Sequence, residues 1–188
     1  MSDSSLYQDE KAPSTSRRAA IEFALFGVAL VVIALDQYTK QWVRQNLEPG
    51  VSWNPISWLD PIVTLTHVHN TGAAFGLFPG MQYVFAGVAL LVAALIVIYH
   101  RQLTDNSRFL HLAFGLQLGG ALGNFIDRVF QGHVTDFIDF RVWPVFNVAD
   151  SAVVVGTILL VYYSFFVGEP FESEDRTDAL DSETIRGS

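Results

Sequence analysis

The 188-residue sequence contains no cysteine. Disulfides, thiolate nucleophiles and cysteine-ligated zinc are therefore all excluded. Charge is scarce too: 16% of residues are Asp, Glu, Lys or Arg, against about 25% in an ordinary soluble domain. What charge there is leaves a formal net of -8. Seven acidic and two basic residues between Glu169 and Ser188 account for -5 of it, so the acidity marks a short solvated tail rather than an acidic binding face. No basic stripe runs along any segment, so no nucleic-acid partner is expected. Neither G-x-S-x-G nor H-E-x-x-H occurs, which disfavours a serine or a zinc hydrolase.

Apolar residues are plentiful, at 51% of the chain. They gather in four stretches: about Ala19 to Leu35 (continuing as helix through Gln41), Met81 to Tyr99, Phe109 to Ile126, and Phe146 to Val167. Each approaches the roughly 20 residues that cross a hydrocarbon core. In lipid the backbone must satisfy its own hydrogen bonds, so these are helices. The first is too long, and lacks the small-residue exit, for a cleaved signal peptide. Residues 1–18 are expected to be a disordered cytoplasmic arm, 19–168 a single transmembrane domain, and 169–188 a disordered cytoplasmic tail. With the N-terminus inside, the inner segments hold seven basic residues and the outer ones four (Lys40, Arg44, Arg128 and Arg141), which favours both termini inside. Trp42, Trp53, Trp58 and Trp143 then fall on the outer side, as an aromatic belt does. Val63 to Val68 alternates and is rich in β-branched residues, so it reads as a strand of a small platform on the outer surface. Gly115, Gly119 and Gly123 repeat every four residues, a pattern that lets a neighbouring helix approach closely.

Polar residues cluster at one depth, at the outer ends of helices one, three and four. Such groups are costly in a membrane and usually functional. Asp36 and Lys40 are four apart on one helical face. The plain reading is an i,i+4 ion pair with Lys40 reaching out to the interface; for Asp36, a part in holding substrate or the platform stands beside it. Asn124 and Arg128 share another face. Arg128 either pairs with Asp127 or contacts substrate. His67 and His69 lie on one strand face, but no third ligand has metal-binding spacing, so no metal is expected. Asp136, in the loop Gly132 to Phe137, and Asp150, in the first turn of helix four after Asn147, form the most reactive pair. Two carboxylates in a low-dielectric site do not both ionise cheaply, and one keeps a proton. The ionised member can take a proton from water while the protonated one polarises a carbonyl, and a helix N-terminus favours Asp150 as the charged one. A proton-relay transporter and a non-catalytic scaffold remain open on these grounds. Against the transporter, the carboxylates sit at one end of the bundle and no inverted repeat is visible.

Five segments carry a resemblance. Asp36-Gln37-Tyr38-Thr39-Lys40, Asn70-Thr71-Gly72-Ala73-Ala74-Phe75, Gly119 to Arg128, Val134-Thr135-Asp136-Phe137 and Phe146 to Ser151 resemble, in order, the motif series of bacterial lipoprotein signal peptidases, over roughly Ile21 to Val167. The resemblance implies an all-α membrane protein, four transmembrane helices with a small extracytoplasmic β-platform, in the bacterial inner membrane. It implies an aspartic endopeptidase that removes the signal peptide from prolipoproteins, cutting before a diacylglyceryl-modified cysteine, with no metal or cofactor. The catalytic positions are then Asp136 and Asp150, and the substrate pocket has Asp36, Asn70, Asn124, Arg128 and Asn147. Ala73 and Ala74 match a loop that covers the substrate. Membrane lipid surrounds the protein, and globomycin-like cyclic peptides are the expected inhibitors. Asp139, three residues after Asp136, lies outside the motif match.

Overall fold

The computed structural model describes residues 15–72, 77–100 and 108–167. Four long helices dominate: α1 (Thr15–Asn46), α2 (Gln82–Tyr99), α3 (Arg108–Phe130) and α4 (Val148–Phe166). Each contains a window apolar and long enough to cross a bilayer. Their outward faces carry Phe23, Leu30, Val88, Ile98, Ile158, Phe165 and other large apolar side chains, all exposed. A belt of that size is stable only against hydrocarbon. Helix α1 begins at Thr15, inside the polar segment expected to end at Arg18, because Arg17, Arg18, Ala19 and Ala20 are good helix formers. Residues 1–14 and 168–188, and with them nearly all of the expected arm and tail, lie outside the described residues.

Helix α3 is the centre of the bundle and packs against the other three; 44% of its span is buried, against 17–22% for its neighbours. Its glycines explain how it can be. A Cβ on Gly115 would lie 2.9 Å from that of Val28, and one on Gly119 would lie 2.6 Å from that of Val32. One on Gly123 would lie 2.6 Å from Asp36 Oδ2. The four-residue glycine ladder thus seats α1 directly on the backbone of α3. Gly120 turns to the other side, against the Ala149 carbonyl of α4, and Gly156 of α4 returns the contact against Ala113.

A three-stranded antiparallel sheet sits at the end of the bundle where α1 and α3 finish and α4 starts. It comprises β1 (Ser52–Trp53), β2 (Thr64–Asn70) and β3 (Val134–Asp139), in that order. The expected strand Val63 to Val68 is present but runs two residues further, and those two residues matter. The segment around Asp136, expected as a loop, is β3. It pairs Val68 with Asp136, His69 with Thr135 and Asn70 with Val134. No alternation betrays β3, because Val134 to Phe137 are buried on both faces and β3 packs on α1 and α3 as well as on β2. The four tryptophans all belong to this end of the molecule; Trp42 and Trp53 pack with ring centroids 5.4 Å apart.

Candidate active site

Two elements carry the two carboxylates. Asp136 stands on β3, and Asp150 is the third residue of α4. Asn147 caps α4, and its sequence position explains why the helix starts there: its side-chain Oδ1 accepts from Asp150 N at 2.9 Å, while Asp150 Oδ2 accepts from Asn147 N at 3.3 Å. This reciprocal cap satisfies two orphan backbone donors. Having its oxygen committed to the helix, Asn147 must aim its NH2 group away from it. That group donates to Asp136 Oδ1 at 2.7 Å and to Asn124 Oδ1 at 3.2 Å.

The same device recurs at two other amides. Asn70 Oδ1 accepts from Gly72 N at 3.0 Å, which turns its NH2 to Asp136 Oδ2 at 2.9 Å. Asn124 Oδ1 accepts from Lys40 Nζ at 2.9 Å, and its NH2 reaches Asp150 Oδ1 at 2.7 Å. Each carboxyl oxygen of the pair therefore receives one N–H, and each of the three side-chain amide donors is oriented by an acceptor bond of its own. Burial, seconded by the charge of Asp150, pushes the Asp136 carboxyl up from 3.8 to about 7, although the Asn70 and Asn147 donors and the Lys40 charge pull the other way. Asp136 can thus hold a proton in neutral solution.

Both aspartates open onto a cavity of about 1210 Å³. Its walls are mostly apolar, from Val68 and Pro79 through Phe140, Trp143 and Phe146 to Val153 and Val155; its polar groups include His69, Asn70, Asn124 and Arg128. Arg128 also lies over the Phe85 ring, with 5.7 Å from its guanidinium carbon to the centroid. Its Nη1 reaches the Asn124 carbonyl at 3.4 Å, and its buried Nε has no hydrogen-bond partner among the described residues.

Five of the seven expected site residues line this cavity: Asn70, Asn124, Arg128, Asp136 and Asp150. Asn147 stands behind it, fully buried, as the link between the carboxyls. Asp36 does not reach it. Its Oδ1 accepts from Ala149 N at 3.0 Å and its Oδ2 pairs with Lys40 at 2.9 Å, so it ties α1 to the start of α4. The expected Asp36–Lys40 pair forms, but Lys40 does not reach for the interface. It is 0% exposed and also meets Asp127 at 3.3 Å, because the glycine ladder brings those α3 acceptors within range. Asp127 pairs with Lys40 and Arg44 rather than with Arg128, and accepts from Thr135 N at 2.9 Å. Gln37, Arg44 and Thr135 were not singled out from the sequence. Gln37 Nε2 bridges Asp36 to the Gly123 carbonyl and to Asp127, and Arg44 donates to Thr135 Oγ1 at 3.1 Å. The spacing of Asp36, Lys40 and Arg44, each four residues after the last, was the available signal for one polar stripe. His133 joins His67 and His69 on the sheet, but the rings of His69 and His133 pack at 3.8 Å between centroids, leaning on each other rather than converging on a point. Burial lowers the pKa of both. Ala73 and Ala74 lie outside the described residues.

Residues 28–166 match the family model of signal peptidase (SPase) II, with the carboxylate pair and every amide around it inside the matched stretch. The chain belongs to the signal peptidase II family. It is 47% identical over 135 residues to a lipoprotein signal peptidase of Moorella thermoacetica, covering 72% of this chain and 88% of that one. It is 44% identical to one of Geobacillus thermodenitrificans, over 81% of this chain and 94% of that one. A solved bacterial membrane enzyme superposes with a TM-score of 0.69 at 31% identity, over 78% of this chain and 92% of that one. As a signal peptidase II the chain is a membrane-embedded bacterial protease, with four spans and a β-platform at one end.

Proposed function

We propose that this signal peptidase cleaves prolipoproteins by aspartyl chemistry at Asp136 and Asp150, removing the signal peptide before a diacylglyceryl-modified cysteine. The observation that carries the reading is the pairing of two carboxyls, each held by two N–H donors, at the wall of a largely apolar cavity. Lipid-modified peptide is what such a cavity suits: acyl chains and signal-peptide side chains take the apolar wall, and the peptide bond meets the polar one.

The reaction balances on these two groups. Asp150, at the positive end of α4, is the charged member. Its carboxylate takes a proton from water as the water oxygen bonds to the scissile carbonyl carbon, and Asp136 gives its proton to the carbonyl oxygen. The resulting diol collapses when the C–N bond breaks. Asp150 then returns its proton to the leaving nitrogen, and Asp136 recovers one from a diol hydroxyl. Arg128, whose Nε has no hydrogen-bond partner among the described residues and whose Nη1 makes one long bond there, is available to hold a substrate carbonyl beside the pair.

The sheet end faces outward from the cytoplasm in this reading, with both termini inside, because the sparse basic residues favour the other end. Globomycin-like cyclic peptides would compete by occupying the cavity. The deciding experiment is cleavage of a diacylglyceryl-modified prolipoprotein by purified wild type, Asp136→Asn and Asp150→Asn in detergent. Wild type is expected to cut, and both folded variants to be inactive. A folded variant with near-normal activity would remove that aspartate from the mechanism and bring Asp139 or Asp127 forward.

A further inference from the structure

Among the described residues, Lys40 is the largest of the fully buried side chains. It lines no part of the cavity and touches neither Asp136 nor Asp150. Its ammonium has three protons and no acceptor capacity. Those protons meet Asp36 Oδ2 at 2.9 Å, Asn124 Oδ1 at 2.9 Å and Asp127 Oδ2 at 3.3 Å. The first and last are ion-pair partners. The second is a neutral amide, and it is the amide whose other end holds Asp150.

An asparagine amide can sit either way round unless its neighbours decide. At Asn124 the oxygen side faces two donors, Lys40 Nζ and Asn147 Nδ2, and the nitrogen side faces the Asp150 carboxylate. Reversed, it would set its NH2 against an ammonium and another NH2, and turn its oxygen onto a carboxylate. Of the two donors, the lysine is nearer and charged, so it governs. The charged groups gathered around this point are Asp36 and Arg44 from α1, Asp127 and Arg128 from α3, Asp136 from β3 and Asp150 from α4. Lys40 is thus the cation buried among carboxylates behind the pair, while Arg44 stands partly exposed.

We infer that Lys40 is a positioning residue for cleavage: it fixes the polarity of the Asn124 amide so that an N–H always faces Asp150. The inference rests on the reading of Asp136 and Asp150 as the reacting pair. An ion pair that only held α1 to α3 would need the two aspartates and not the amide, and that difference can be measured.

The test is Lys40→Met, which keeps the length of the side chain and removes its donors. Initial rates on a diacylglyceryl-modified peptide in detergent would be taken from pH 5 to 9, with thermal unfolding of the same samples. The expected result is a fall in kcat of about tenfold or more, the scale of one lost charge-assisted bond, with KM within about twofold. The alkaline limb of the rate profile should also move upward by about half a unit or more, because a positive charge has left the neighbourhood of the pair. Should Lys40→Met fail to fold, since it leaves two buried carboxylates short of a partner, Asp36→Asn/Lys40→Met removes the α1 pair together and is read the same way. A folded variant with wild-type kcat and an unmoved alkaline limb would reduce Lys40 to an ion pair and overturn the inference. A rise in KM alone would make it a substrate contact and overturn it too. Wild-type protein that never cleaves would strike down the two-carboxylate reading itself, whereas cleaving wild type beside an equally active Lys40 variant strikes down only this step.

Discussion

Asn70→Ala isolates one donor of the proposed reacting pair. Asn70 gives Asp136 Oδ2 a single hydrogen bond of 2.9 Å, which favours the charged carboxylate. A hydrogen bond to a charged group is worth about 1.5–3 kcal/mol. At 1.36 kcal/mol per pKa unit, its complete loss would raise the carboxyl by about 1–2 units. Asn70 borders the open cavity, where water can replace part of the bond, so about 1 unit is expected. The assay is the pH dependence of cleavage of a lipid-modified peptide. Wild type should lose activity on the alkaline side near pH 7, where the Asp136 proton is released, and Asn70→Ala near pH 8. The stability sign follows from the same shift. A folded-state pKa raised from 3.8 to about 7 means that the folded protein holds this proton more tightly than the unfolded chain does. The contribution is greatest below about pH 4 and is lost as pH rises through about 7; in Asn70→Ala the loss extends higher. An alkaline limb that stays near 7 in a folded variant, or moves down, would refute the assignment of that proton to Asp136.

Two further outcomes are expected. Gly119→Val puts a branched side chain where even a Cβ lies 2.6 Å from that of Val32; overpacking of this kind costs about 1–3 kcal/mol, read as a lower unfolding temperature in detergent, and an unchanged melt would deny the close seating of α1 on α3. Arg128→Ala should weaken binding of substrate or of a globomycin-like peptide by about tenfold while changing the melt little, because among the described residues the guanidinium makes one hydrogen bond, of 3.4 Å. Tight binding by the folded variant would take Arg128 out of the pocket.

The four spans were legible because a 20-residue apolar run has few other meanings; the fourth was expected from about Phe146, whereas Asn147 caps a helix that begins at Val148. The glycine ladder was legible as a contact, though not its partner. β3 was not. Its six residues include Asp136 and Asp139, it is buried on both faces at its start, and its pairing with β2 crosses more than sixty residues of chain. Lys40 was misread for a related reason. A lysine at a helix end usually reaches for water, and only the approach of α3 supplies the acceptors that turn it inward. Asp36 showed its pairing in its spacing, but its bond to the Ala149 N–H joins residues 113 apart.

The reciprocal cap at the start of α4 has a mechanical side. Asn147 is one rigid amide plane that touches Asp136 directly and fastens Asp150 by the helix turn that both residues share. In the proposed mechanism both reacting groups are therefore tied to one residue, Asn147, which reaches from the start of α4 to β3. A slip of α4 by one residue would turn Asp150 by about 100° and dismantle the arrangement. The register of this one turn of helix therefore sets where both carboxyls stand.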